Sequence, residues 1–149
     1  MKSVNYQNSN EGKHHCKNLI IRCMDWRFSG KQVGELLDEF FSDQGGFGSF
    51  DDPGSVGASK AVVEKESRKV IFNALNVAKE KHGTERIVLI DHVDCSVYGG
   101  SDKFNGDAEA EKKFHIEKLK EAKEILQKRY PELKIVTLYL SWNIIEEVE

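Results

Sequence analysis

The sequence predicts an α/β domain of three layers: a mainly parallel sheet of about four strands flanked by helices. Two observations carry this expectation. Three short, largely apolar runs are continuous rather than alternating: Leu19-Ile20-Ile21, Ile87-Val88-Leu89-Ile90 and Ile135-Val136-Thr137-Leu138-Tyr139-Leu140. Strands buried on both faces of a parallel sheet read this way. Between them lie stretches whose apolar residues recur at helical spacing, so strand and helix alternate along the chain as crossover units require.

Residues 1–17 show no apolar period and read as a polar N-terminal arm, and residues 18–149 read as one α/β domain. Within that arm, His14-His15-Cys16 offers metal-ligand chemistry in an otherwise solvated tail. Residues 18–25 read as the first strand and 26–30 as the loop at its carboxyl end. Val33, Leu36, Leu37, Phe40 and Phe41 predict a helix over 31–41. Glycines and Asp51-Asp52-Pro53-Gly54 punctuate 42–57, a loop with room for a short strand around 47–50. Ala58, Ala61, Val62, Ile71, Ala74, Leu75 and Ala78 predict a long helix over 58–82 closed by Gly83. A strand over 86–91 and a loop over 93–105 follow. A helix is expected over 108–129, with Phe114 or His115, Leu119, Ala122, Ile125 and Leu126 inward, and Pro131 ends it. A strand over 134–140 completes the pattern, and 141–149 matches no single template.

The composition narrows the function classes. The chain has 149 residues, 32% of them charged and 39% hydrophobic, with a net charge of −3. One domain of this size buries enough surface to fold without a staple. A slightly acidic chain is not a globally basic nucleic-acid binder. The apolar runs are too short to span a bilayer, and the first 18 residues lack a signal-peptide pattern, so a cytoplasmic location away from membranes is expected. Cys16, Cys23 and Cys95 are an odd number of cysteines, which excludes a complete disulfide framework and directs attention to thiol or metal chemistry.

Two segments fall where parallel sheets place their chemistry, at the carboxyl ends of strands. The first is Cys23-Met24-Asp25-Trp26-Arg27. In an extended chain Cys23, Asp25 and Arg27 share one side. The second is Asp91-His92-Val93-Asp94-Cys95, whose His and Cys converge if the backbone curls after the strand. Cys23, His92 and Cys95 together form a Cys2His set with a fourth position open, the arrangement of a catalytic rather than a structural zinc ion. Asp25 and Arg27 form a candidate dyad beside it, with Arg27 keeping Asp25 ionised through a forked hydrogen bond. Asp94 is expected to support the loop. His115 is a candidate proton carrier or a satisfied core histidine. Tyr98-Gly99-Gly100 shapes a pocket or turns the chain.

On Cys23-x-Asp25-x-Arg27 and His92-x-x-Cys95, each preceded by a strand, with Pro53-Gly54-Ser55-Val56-Gly57 between them, the chain resembles the β-class carbonic anhydrases over roughly residues 19–140. The resemblance implies zinc bound by Cys23, His92 and Cys95, and an Asp25–Arg27 dyad beside the metal. It implies reversible hydration of carbon dioxide to bicarbonate by a zinc-bound hydroxide. It also implies a homodimer or homotetramer with active sites near the subunit interface. The chain departs from that family at Trp26, where a small serine is usual, and at Ser96, where glycine is usual. Two alternatives stay open: a zinc-binding relative that does not catalyse, with Asp25 as fourth ligand, and an enzyme attacking carbonyl sulfide or carbon disulfide.

Overall fold

The computed structural model describes residues 2–149. Five strands form one sheet: β1 (Asn18–Arg22), β2 (Phe50–Asp51), β3 (Arg86–His92), β4 (Lys134–Leu140) and β5 (Ile145–Glu147), in the order β2-β1-β3-β4-β5. The three apolar runs are its centre. β1, β3 and β4 lie parallel, with Ile20 level with Val88 and Val88 level with Val136. Leu19, Ile20, Ile21, Ile87, Val88 and Leu89 are buried, as continuous apolar runs in a sheet covered on both faces should be.

The flanking helices follow their capping chemistry. Helix α1 (Gly30–Phe40) begins at Ser29, whose hydroxyl accepts the Gln32 amide, and turns Val33 and Leu37 inward. Helix α4 (Ala108–Arg129) has the bounds the sequence predicts. Its N-cap Asp107 accepts the amides of Glu109 and Ala110, and Lys128 and Arg129 sit in the last turn, where the helix dipole favours cations. The inward stripe of α4 is Glu111, His115, Leu119, Ala122 and Leu126.

Three expectations need correction. The predicted helix over 58–82 is three pieces: α2 (Ser59–Val63), α3 (Lys65–Val77) and a π-helical turn, Ala78–His82. Ala58 lies outside at φ 28°, and Glu64 is extended. The phase of the apolar residues explains the break. Ile71 follows Val62 by nine positions, so a straight helix would set them about 180° apart. Both are buried, and a kink at Glu64 restores them to the core. Arg68 closes the break by donating to the carbonyls of Val62 and Val63. The short strand is Phe50–Asp51, which overlaps only the last residue of the 47–50 segment expected to hold it. The tail 141–149, which matched no template, supplies β5, paired antiparallel to β4 through Leu138↔Glu147 and Leu140↔Ile145. It makes the sheet five-stranded and covers the edge of β4.

Residues 2–17 contribute neither helix nor strand, and the Cys16 amide donates to His82 O at 2.8 Å. Helices α2 and α4 pack on each other and over β3. The carboxyl ends of β1 and β3, side by side in the sheet, therefore open beside α2 and the first turns of α4.

Candidate metal centre

β1 ends at Arg22, level with Ile90, so Cys23 emerges beside the end of β3. Cys23 makes a single bridge to Ser55, and the Met24 amide donates to Ser55 O at 2.8 Å. The chain then turns instead of continuing extended. The Phe28 amide donates to Asp25 O, and Asp25 Oδ1 accepts the Arg27 amide at 3.0 Å. Asp25 and Arg27 thus meet through an Asx-type turn, not through the strand alternation the sequence suggested. After β3, the Val93 amide donates to Leu140 O, and Asp94 adopts φ 55°. That left-handed residue curls the backbone so that His92 and Cys95, three apart, face the same point.

The result is a cluster in which one ligand atom each of Cys23, His92 and Cys95 lies within 4.8 Å of the others. All three residues are buried. His92 Nδ1 donates to Val93 O at 2.8 Å, which leaves the lone pair on Nε2. That Nε2 is buried and has no hydrogen-bond partner. An unpartnered buried acceptor costs about 1–3 kcal/mol. A cation would remove that cost, and two thiols with one imidazole are the donor set of a tetrahedral metal site. The residues present therefore fit a metal ion. Among the described residues this is the one such cluster, and His14, His15 and Cys16 are not part of it.

The charges point the same way. The Cys95 thiol beside it draws the Cys23 pKa down to about 4, against burial and with help from His92 and the amides of Gly57 and Asp25. Cys95 is pushed up by Cys23 and by burial, because two adjacent thiols resist ionising together. Burial opposes charge on His92, yet Cys23, the Val93 carbonyl and Asp25 carry its pKa above the ordinary value.

Beside the cluster, Arg27 holds Asp25. Its Nη2 donates to Asp25 Oδ2 at 2.6 Å and its Nε to Oδ1 at 3.0 Å, a forked pair that draws the Asp25 pKa down to about 2. Asp25 Oδ2 stands 3.9 Å from His92 Nε2. The far side of the guanidinium is also engaged: Nη1 donates to Asp94 Oδ2 at 2.7 Å and Nη2 to Asp94 O at 2.9 Å. The Ser101 amide and Arg27 together hold the Asp94 pKa low. A cleft of about 670 Å³ opens on the site, lined by Cys23, Asp25, Arg27 and Ser96 and by the apolar Met24, Trp26, Val56 and Val97. Trp26 is 85% exposed and stands at its mouth. A different hollow of about 420 Å³, lined by Asp51, Asn73, Val77 and His82 among others, contains none of these ligands.

The structure places further polar side chains under the site: His115, which the sequence offered as a candidate, and its neighbours, which sequence reasoning gave no role. Asp91, Ser59 and Glu111 are buried, as is His115. Asp91 accepts the Ser59 amide at 2.9 Å and the Ser59 hydroxyl at 2.5 Å. His115 Nδ1 lies 2.9 Å from Asp91 Oδ2, and its Nε2 is buried without a partner. The hydroxyls of Tyr98 and Ser59 are 2.9 Å apart. Glu111 accepts the Asp94 amide and the Ser101 hydroxyl, each at 2.7 Å. The available signal was two polar residues, four apart, on the face that further along α4 carries Leu119, Ala122 and Leu126.

Residues 13–148 match the family model described as putative carbonic anhydrase. An uncharacterized protein of Rickettsia bellii is 26% identical over 136 residues, covering 87% of this chain and 80% of that one. An uncharacterized protein of Rickettsia conorii is 26% identical over 137 residues, covering 87% and 70%. Among solved structures, a carbonic anhydrase from Streptococcus mutans superposes with TM-score 0.60 at 16% identity, covering 92% of this chain and 84% of that one. A carbonic anhydrase from Glaciozyma antarctica gives TM-score 0.58 at 19% identity, covering 95% and 86%. The β-carbonic anhydrase isoform I of Trichomonas vaginalis gives 0.58 at 14%, covering 98% and 87%. At these identities the likeness to solved structures is one of fold.

Proposed function

We propose, proceeding from the fact that the chain belongs to the family described as putative carbonic anhydrase, that it interconverts carbon dioxide and bicarbonate at a zinc ion. Cys23 and Cys95 would hold that ion as thiolates and His92 through neutral Nε2, with the fourth position left to solvent or substrate. The observation that carries this reading is the buried, unpartnered His92 Nε2 between two buried thiols, next to a carboxylate engaged elsewhere. Zinc in such a site supplies a nucleophile near neutral pH by acidifying bound water.

The protein's own residues do the rest. Arg27 occupies both oxygens of Asp25, which keeps the carboxylate ionised and would keep it from becoming a further ligand of a bound ion. Asp25, held in this way beside His92, would serve as the hydrogen-bond acceptor that orients a nucleophile toward the substrate carbon. Met24, Val56 and Val97 give the cleft apolar walls suited to a small linear molecule without charge. The thiols need a reducing compartment to stay free, which supports a cytoplasmic setting. A second copy of the chain is the proposed cover for the exposed Met24, Trp26 and Val56.

Stopped-flow hydration of carbon dioxide by zinc-loaded protein tests the reading. A rate above background is expected between pH 7 and 9. Absence of any such rate with zinc confirmed by metal analysis overturns it. Faster turnover of carbonyl sulfide or carbon disulfide than of carbon dioxide would move the substrate to those molecules.

A further inference from the structure

The chain from Asp91 to Cys95 carries two of the three cluster residues and turns through a positive φ at Asp94. Such a turn holds its shape only if something beneath it does the holding. Two buried side chains one turn apart on α4 do this. Glu111 takes the Asp94 amide and the Ser101 hydroxyl, and Ser101 in turn donates its amide to Asp94 Oδ1 at 2.9 Å. Asp94 Oδ2 then fixes Arg27, and Arg27 fixes Asp25. The line Glu111–Asp94–Arg27–Asp25 is continuous, from the core of the helix to the carboxylate beside His92.

His115 reaches the other end of the same segment. It bonds Asp91, which alternates with His92 on β3 and so faces the opposite side of the sheet. Asp91 clamps the amide and hydroxyl of Ser59 at the start of α2. Ser59 follows Ala58, strained at φ 28°, and Gly57, where a Cβ would come within 2.9 Å of Val97. This is the stretch whose Ser55 pairs with Cys23. The His115 line therefore ties the Cys23 side of the site to the His92 side.

Among the described residues neither Glu111 nor Asp91 has a lysine or arginine partner, so each is a carboxylate buried against hydroxyl, amide or imidazole groups. Apolar residues at Glu111 and His115 would continue the stripe of Leu119, Ala122 and Leu126 and would serve stability better. We infer that Glu111 and His115 are positioning residues for the metal centre, holding the Asp91–Cys95 segment and the Asp25–Arg27 pair in binding geometry before the ion arrives. The inference rests on the metal-site reading above but not on the identity of the substrate.

The test compares Glu111→Gln and His115→Gln with Leu126→Ala, a buried change further along the same helix face. Zinc affinity is measured by competition with a chromophoric chelator, the cobalt-loaded absorption spectrum is recorded, and Tm is taken for each. The two polar variants are expected to bind zinc about 10–100-fold more weakly and to shift the cobalt bands. Leu126→Ala is expected to lose Tm while binding zinc and cobalt as the parent does. Polar variants that lose only Tm, with affinity and spectrum unchanged, overturn the inference. If either does not fold, Ser101→Ala and Ser59→Ala remove only the hydroxyls held by Glu111 and Asp91, and the same two readouts decide. A parent protein that binds no zinc overturns the metal-site reading and this inference together. A parent that binds zinc without hydrating carbon dioxide, with weakened polar variants, sinks the proposed reaction and supports the positioning role.

Discussion

The two ends of the same central strands are built from similar materials to opposite effect. At the amino end, Asn18 is buried and every polar contact it makes closes on the protein itself. Its amide nitrogen donates to Phe47 O at 2.7 Å and Ser49 O at 3.1 Å, and its oxygen accepts Arg86 Nε at 2.8 Å. The Arg86 guanidinium lies over the rings of Phe41 and Phe47 at 4.4 and 4.9 Å. At the carboxyl end, the Cys23 and Cys95 thiols face each other, and among the described residues His92 Nε2 has no hydrogen-bond partner. One end is satisfied by its own chain, and the other leaves a buried acceptor open beside two thiols. Buried polar groups are thus a guide to function chiefly where the accounting fails to close.

Four changes would break or sharpen that contrast. Cys23→Ser carries the largest effect: zinc retained after gel filtration, measured by mass spectrometry, is expected to fall to background while the fold persists. Asp25→Asn is next. It keeps the ion but should lower carbon dioxide hydration by about 10²–10⁴-fold, the loss typical of removing a positioned proton-handling group. At the opposite end, Asn18→Ala strands the buried Phe47 carbonyl and should cost about 1–3 kcal/mol in urea unfolding, with zinc stoichiometry unchanged. The smallest effect belongs to Arg86→Lys, which gives up the flat stacking on Phe41 and Phe47 for about 0.5–1 kcal/mol by the same measurement. If Asn18→Ala released zinc, or Cys23→Ser unfolded the metal-free chain, the two ends would not be independent.

The parts of the fold legible in the sequence are those set by local signals. Helix α4 was read from its helical apolar spacing and from Pro131, and the runs in β3 and β4 were read from apolar continuity. The break at Glu64 was harder, because no glycine or proline marks it and the residues from Glu64 to Glu66 are good helix formers. Only the need to bring Val62 and Ile71 to one core forces it. Strand β5 exists because β4 offers an edge, which no window over residues 141–149 reveals. In the site, Cys23, His92 and Cys95 were legible from residue type and from position after strands. Asp25 and Arg27 were legible as a pair, though the turn that joins them was not. Asp91, Ser59, Glu111 and the partner of His115 were out of reach, since a polar residue in an apolar stripe announces burial but not what it touches.

The ring stack behind His92 has an optical consequence. Phe28 lies 4.8 Å from the His92 ring and 5.4 Å from the Trp142 indole, and Arg27 Cζ lies 5.3 Å above that indole. Trp142 is therefore one ring removed from the Cys23–His92–Cys95 cluster, whereas the more exposed Trp26 stands across the cleft that opens on it. The chain carries its own fluorescent gauge of occupancy. Titration with cobalt is expected to quench its emission, and to quench it less in Trp142→Phe than in Trp26→Phe.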